Sequence, residues 1–147
     1  MLLGLVSLGI GTAHAGYKVV DGDSLVHGKE KIRLLGIDAP EYKQTCANAQ
    51  GDDYPCGKTA KKFLENLLTQ GKVSCHHVSR DIYKRKLSVC YVEDQEINLL
   101  MIQNGWAVAY RGKNQKYVLA EKVAKQKKKG LWQGKFMRPE LYRIWAQ

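Results

Sequence analysis

The stretch Arg33-Leu34-Leu35-Gly36-Ile37-Asp38-Ala39-Pro40-Glu41 ends the first run of β-like sequence and places an arginine and two carboxylates where a strand gives way to a turn. Upstream, residues 17–20, 24–27 and 31–37 read as short strands, with Gly28 marking a tight turn between the last two, so the segment begins as a meander. A second acidic motif, Asp21-Gly22-Asp23-Ser24, lies at the first strand junction. Two Asp side chains, a backbone carbonyl and waters make a plausible open site for calcium, a hard cation bound by six to eight oxygens, with magnesium the weaker alternative. Asp-Gly pairs are also ordinary turn formers, so neither motif decides the matter alone. Arg33 shifts the balance, because a fixed bidentate donor beside a cation site is how phosphates are gripped, and Arg85 could be its partner.

Working outward, residues 41–57 show neither helical nor strand period and read as a long loop. From Lys58 the apolar positions Ala60, Phe63, Leu64, Leu67 and Leu68 lie on one helix face, and Gly71 follows the end. Residues 73–77 and 87–92 fold as an antiparallel hairpin around 81–85. A second helix is expected over 96–104, ending at Gly105, and a third over 117–129, ending at Gly130. Strands followed by separate helices point to an α+β domain, and a five-stranded OB-type β-barrel with three helices fits the order.

The chain of 147 residues holds one ordinary domain, assigned to residues 16–147. Residues 1–15 read as a signal peptide: Met1 to Ile10 is almost wholly apolar, and Ala13-His14-Ala15 has the small-x-small pattern of a cleavage site, although no Lys or Arg precedes the apolar run. That run is shorter than the about 20 residues that span a bilayer, so the protein is expected to be secreted or periplasmic, with no membrane partner after processing. The four cysteines contain no CxxC pair. In an exported chain they read as two disulfides, Cys46 to Cys56 across the loop and Cys75 to Cys90 across the hairpin, in preference to a zinc site using His76 or His77.

A net charge of +10, from 24 basic and 14 acidic residues, points to an anionic partner, with phosphate backbones ahead of anionic membranes. The third helix has too modest an apolar face for a membrane-surface element. Residues 125–129 read as a solvated lysine run, and Trp106, Trp132 and Trp145 as packing residues.

These pieces resemble the thermonuclease, or staphylococcal-nuclease-like, family across residues 17–132. The resemblance is carried in order by Asp21-Gly22-Asp23-Ser24, the stretch Arg33 to Glu41, Asp81-x-Tyr83-x-Arg85, Asn98 with Gly105, Ala120-Glu121 and Gly130-Leu131-Trp132. It implies an OB-fold barrel with three helices, a calcium site made by Asp23, Asp38 and the carbonyl of Ala39, and catalytic roles for Arg33, Glu41 and Arg85. It further implies hydrolysis of DNA and RNA with little sequence preference, leaving 3′-phosphates. Two positions depart from the family pattern: Ala39 stands where many members have Thr, and Lys84 where most have Gly. A side chain at position 84 resists positive φ and could displace Arg85 or add a phosphate contact. Tyr83 and Tyr110 are candidate stacking faces for bases of single-stranded or frayed substrate, with Lys84 and Lys113 beside them. The competing reading is a non-catalytic OB-type module that binds single strands. Asp23, Asp38 and Glu41 together argue against it, and a monomer is the default expectation.

Overall fold

The structure, a computed structural model, describes residues 16–147. The expected signal peptide lies outside the described residues. Ten strands and four α-helices occur among them. In chain order these are β1 (Tyr17–Asp21), β2 (Ser24–His27), β3 (Glu30–Leu34), β4 (Ile37–Asp38), β5 (Cys46–Ala47), β6 (Asp53–Tyr54), α1 (Cys56–Leu68), β7 (Val73–Arg80), β8 (Lys86–Val92), β9 (Gln95–Glu96), α2 (Ile97–Gln103), β10 (Val108–Ala109), α3 (Gln115–Gln126) and α4 (Pro139–Trp145).

The main sheet follows the order β1-β2-β3-β8-β7, with β9 paired to β8. The meander β1-β2-β3 is antiparallel, β3 lies parallel to β8, and β7 and β8 form the expected hairpin with Cys75 opposite Cys90. The domain is α+β, with a main sheet whose strand path runs from β1 to β7 among the described residues. The expected single strand over 31–37 is two strands. Gly36, at φ +80°, turns the chain after β3 and sends β4 away to pair with β10.

One face of the sheet is covered by helices. Leu25, Ile32, Leu34 and Ile37 meet Leu64 and Leu68 of α1 and Ile97, Met101 and Ile102 of α2 in one buried cluster. Phe63, on the expected apolar face of the first helix, is half-buried at the edge of this cluster. The first helix begins at Cys56, two residues before the expected start. The third begins at Gln115 because Asn114 caps it, its side chain accepting from the Tyr117 amide. The fourth helix, α4, has only seven residues, too few to impose an apolar period on the sequence, and Pro139 at its start marks it after the fact.

The loop 41–57 is less open than its composition suggests. It contains the two-strand ladder β5–β6, and the Cys46–Cys56 disulfide closes it, while Cys75–Cys90 ties β7 to β8. All described cysteines are in these bridges, so the zinc alternative falls. Reducing both is expected to lower unfolding free energy by about 2 to 5 kcal/mol per bridge in denaturant titrations.

Asn98 joins three elements from a fully buried position. Its carbonyl accepts from the Cys90 amide, and its amino group donates to the Leu35 and Ser88 carbonyls, fixing α2, β8 and the β3–β4 turn to one another. Asn98→Ala would strand these backbone groups away from water. The expected loss is about 2 to 4 kcal/mol, read as a lower urea midpoint with an unchanged slope.

Candidate active site

The ends of β1, β2 and β3 meet the β7–β8 turn around a cleft of about 440 Å³ whose lining includes Asp23, Arg33, Glu41, Tyr83, Arg85 and Tyr110. Six of the residues expected at a site are thereby brought to one cavity. Asp38 lies just behind it, 1% exposed, and Ala39 is buried beside it. Lys84 and Lys113 are exposed and do not reach the lining.

Arg33 is the hub. Its Nη1 lies 2.8 Å from Asp23 Oδ1 and its Nη2 3.4 Å from Asp38 Oδ1, so one guanidinium bridges the two buried carboxylates. The other oxygen of Asp23 accepts from the Ala39 amide at 2.8 Å, which pins the Asp38-Ala39 turn onto the β1–β2 junction. Close approach here needs glycine at 22: a Cβ on Gly22 would lie 2.7 Å from Ala39 Cβ and 2.9 Å from Ala60 Cβ.

Glu41 is set by a different device. Gly57, inside the first turn of α1, packs so closely on its backbone that a Cβ would lie 1.8 Å from the Glu41 carbonyl oxygen. Gln44, fully buried, accepts from the Glu41 amide through Oε1 and donates through Nε2 to the Met137 carbonyl at 2.7 Å. This side chain ties the Glu41 loop to the segment that leads into α4.

Arg85 is held from below. Asp81 Oδ2 accepts from its Nε at 2.7 Å, Asp81 Oδ1 accepts from the Tyr83 and Arg85 amides, and the guanidinium lies 5.5 Å from the centroid of the Tyr83 ring. Lys84 takes φ +64° within this turn, so the lysine adopts the left-handed backbone instead of displacing Arg85. Its carbonyl accepts from Arg80 at 2.8 Å, which helps hold the conformation. Tyr83 is 72% exposed, an open ring face, and Tyr110 lies under Arg33 at 5.9 Å.

The charges are unequally balanced. Burial alone would raise the Asp23 carboxyl, but the Arg33 guanidinium and the Ala39 amide outweigh it and hold Asp23 below the ordinary carboxylate value. At Asp38 burial prevails, with repulsion from Asp23 added, and the carboxyl is raised in spite of its arginine partners. Asp21, desolvated and facing Asp23, is pushed up to about 7. Sequence reasoning quoted Asp21 as part of its motif without placing it in the site; a second acid two residues from Asp23 was the available signal.

Arg143 was missed entirely. It reaches in from α4 and donates to both oxygens of Asp38, at 2.8 and 3.0 Å, and to Glu41 Oε1 at 2.9 Å. It lies 102 residues from Glu41 in sequence and outside every recognised motif, so nothing local signalled it.

The donor set, Asp23, Asp38 and the Ala39 carbonyl, fits calcium in chemistry, since it offers carboxylate and carbonyl oxygens only, and Asp21 beside it is raised by burial and by Asp23. Among the described residues no three His, Cys, Asp or Glu side chains are gathered as a ready-made cage, so Asp23, Asp38 and the Ala39 carbonyl would need water to complete a shell.

Residues 31–134 match the family described as Staphylococcal nuclease homologue. The chain belongs to that family. Within the staphylococcal nuclease homologues it is 30% identical over 127 residues to the Thermonuclease of Staphylococcus intermedius, covering 79% of this chain and 73% of that protein. It is 35% identical over 122 residues to an Uncharacterized endonuclease of Haemophilus influenzae, covering 78% of this chain and 63% of that one. It is 33% identical over 117 residues to the Succinoglycan biosynthesis protein ExoI of Rhizobium meliloti, covering 78% and 61%. The match thus spans less than two thirds of the length of the last two relatives. The family match ends at residue 134, so α4 and its Arg143 lie beyond it.

Because Lys84 holds a positive φ that glycine adopts freely, Lys84→Gly is expected to stabilise the protein by about 1 kcal/mol. Thermal unfolding measures this, and an unchanged or lowered midpoint would show that the turn carries no backbone strain.

Proposed function

We propose that the protein is an exported, calcium-dependent nuclease that hydrolyses phosphodiester bonds of DNA and RNA with little sequence preference, leaving 3′-phosphates, on an OB-type strand arrangement. One observation carries the reading. Asp23, Arg33, Glu41 and Arg85 line a single cleft, with Asp38 buried behind it and held by Arg33, in a chain whose relatives bear the names Thermonuclease and Uncharacterized endonuclease. The order β1-β2-β3-β8-β7 supports the OB-type arrangement, and the two disulfides support an oxidising compartment. No described helix is long and apolar enough to cross a membrane.

Asp23, Asp38 and the Ala39 carbonyl would hold the calcium ion, which when bound draws charge from a phosphoryl oxygen and acidifies a neighbouring water. Arg33 is positioned to donate to a non-bridging phosphate oxygen from the carboxylate side of the cleft. Arg85 can donate from the opposite wall, and both bonds strengthen as negative charge develops on phosphorus. Because Asp81 and Asp23 already orient the two guanidinium groups, little rearrangement is needed when charge forms. Glu41 orients the attacking water and takes its proton. The water oxygen bonds to phosphorus, the bond to the 5′ oxygen breaks, and that oxygen takes up a proton to leave as a 5′ hydroxyl. Tyr83, exposed at the rim, offers a stacking face worth about 1 to 3 kcal/mol per base, and this fits single-stranded or frayed ends. The exposed Lys84 and Lys113 can contribute only longer-range attraction for the backbone. The protein is taken as a monomer.

The Arg143 contact favours one other reading, a module whose carboxylates stay neutralised and which binds single strands without cutting. Hydrolysis of single-stranded DNA with calcium, with chelator, and by Glu41→Gln separates the two. The nuclease reading expects calcium-dependent cutting that falls at least about a hundredfold in Glu41→Gln, and a larger loss in kcat than in KM for Arg33→Met. Binding without cutting under any divalent cation would establish the binding module instead.

A further inference from the structure

Arg143 occupies the carboxylates that the proposed function assigns to the cation and to the water. Its two amino groups cover both oxygens of Asp38, a carboxylate 2% exposed, and one of them also contacts Glu41. A bidentate guanidinium takes up lone pairs on each oxygen, and its charge repels a second cation brought to the same carboxylate.

What holds Arg143 in place is slight. Pro139 is the buried residue of α4, whereas Leu141, Ile144 and Trp145 are 56, 66 and 70% exposed. Trp145, expected to pack, is largely exposed and lies beside the Tyr142 ring of the same helix. Apart from Arg143, α4 is fastened by the exposed and therefore weak Glu140–Arg111 pair and, at its N-cap, by Arg138 to Glu121 at 3.4 Å, while Gln44 holds the segment before it through the Met137 carbonyl. A helix attached through charge, with little apolar surface buried, can leave its seat at small cost. The carboxylates cannot follow it. Asp38 is fixed by Arg33 and by the β4–β10 ladder, and the Glu41 loop by Gln44 and Gly57. The moving partner in this pair is therefore the arginine.

We propose that Arg143 is a gate on the metal site: its guanidinium competes with a cation for Asp38 and Glu41, and calcium binding is coupled to withdrawal of Arg143 and loosening of α4. The proposal rests on the calcium reading above. Because coupling is reciprocal, whatever weakens the hold of α4 on the carboxylates must raise calcium affinity.

Isothermal titration calorimetry with calcium, without nucleic acid, tests this on the purified protein and on Arg143→Gln, Arg143→Lys and Glu140→Gln. Hydrogen exchange of residues 139–145 is followed alongside, with and without calcium. Arg143→Gln is expected to bind calcium about tenfold more tightly or better, and Arg143→Lys to lie between it and the unaltered chain. Glu140→Gln, which loosens α4 without touching the carboxylates, is expected to tighten binding in the same direction. The α4 amides should exchange faster in the calcium-saturated protein. Equal or weaker affinity in Arg143→Gln and Glu140→Gln overturns the gate and leaves Arg143 as a residue that positions Asp38 and Glu41. Absence of calcium binding in all four chains overturns the gate and the calcium reading together, whereas equal binding in all four overturns the gate alone.

Discussion

Asp23 and Asp38 are buried carboxylates, and keeping their charge compensated is the constraint around which the rest of the molecule is arranged. An isolated carboxylate removed from water costs several kcal/mol or neutralises itself. Here Arg33 bridges the pair, the Ala39 amide takes the free oxygen of Asp23, and Arg143 takes both oxygens of Asp38. Asp21, desolvated beside Asp23, is pushed up to about 7. The cleft itself is mixed in charge, with Asp21, Asp23 and Glu41 set among Lys31, Arg33, Arg85 and Arg143, so its carboxylates are balanced from within.

The scaffold spends its most specific interactions on holding that cluster still. Asn98 locks the β3–β4 turn to β8 from within the core, so Arg33 and Asp38, on opposite sides of the turn, keep a fixed separation. The glycines at 22 and 57 let backbone and helix approach where any side chain would force them apart, which brings the β1–β2 junction and the Glu41 loop onto α1. Across the cleft, Asp81 organises the β7–β8 turn around Arg85. Rigid placement of charged groups before substrate arrives is what electrostatic catalysis requires.

Much of this was legible in the sequence because it is local. The α1 stripe from Ala60 to Leu68 and the Cys75 to Cys90 register each depend on residues close together in the chain, and each appeared in the expected place. What escaped was set by distant contacts. Asn98 pulls on the Leu35 carbonyl, 63 residues away, and the break between β3 and β4 follows from that contact and from Gly36. Gln44 works through Met137, 93 residues on, and α4 is too short to announce itself by period. Lys84 shows the limit of propensity: a residue poorly suited to positive φ adopts it when Asp81 and Arg80 fix the turn on both sides.

Where a cation binds decides whether these carboxylates form a metal site. A crystal structure of the protein grown in calcium should show an ion within about 2.3 to 2.6 Å of one oxygen each from Asp23 and Asp38 and of the Ala39 carbonyl, with waters completing the shell. An ion bound elsewhere, or none at saturating calcium, would contradict it and leave the carboxylates as partners of Arg33 and Arg143 alone.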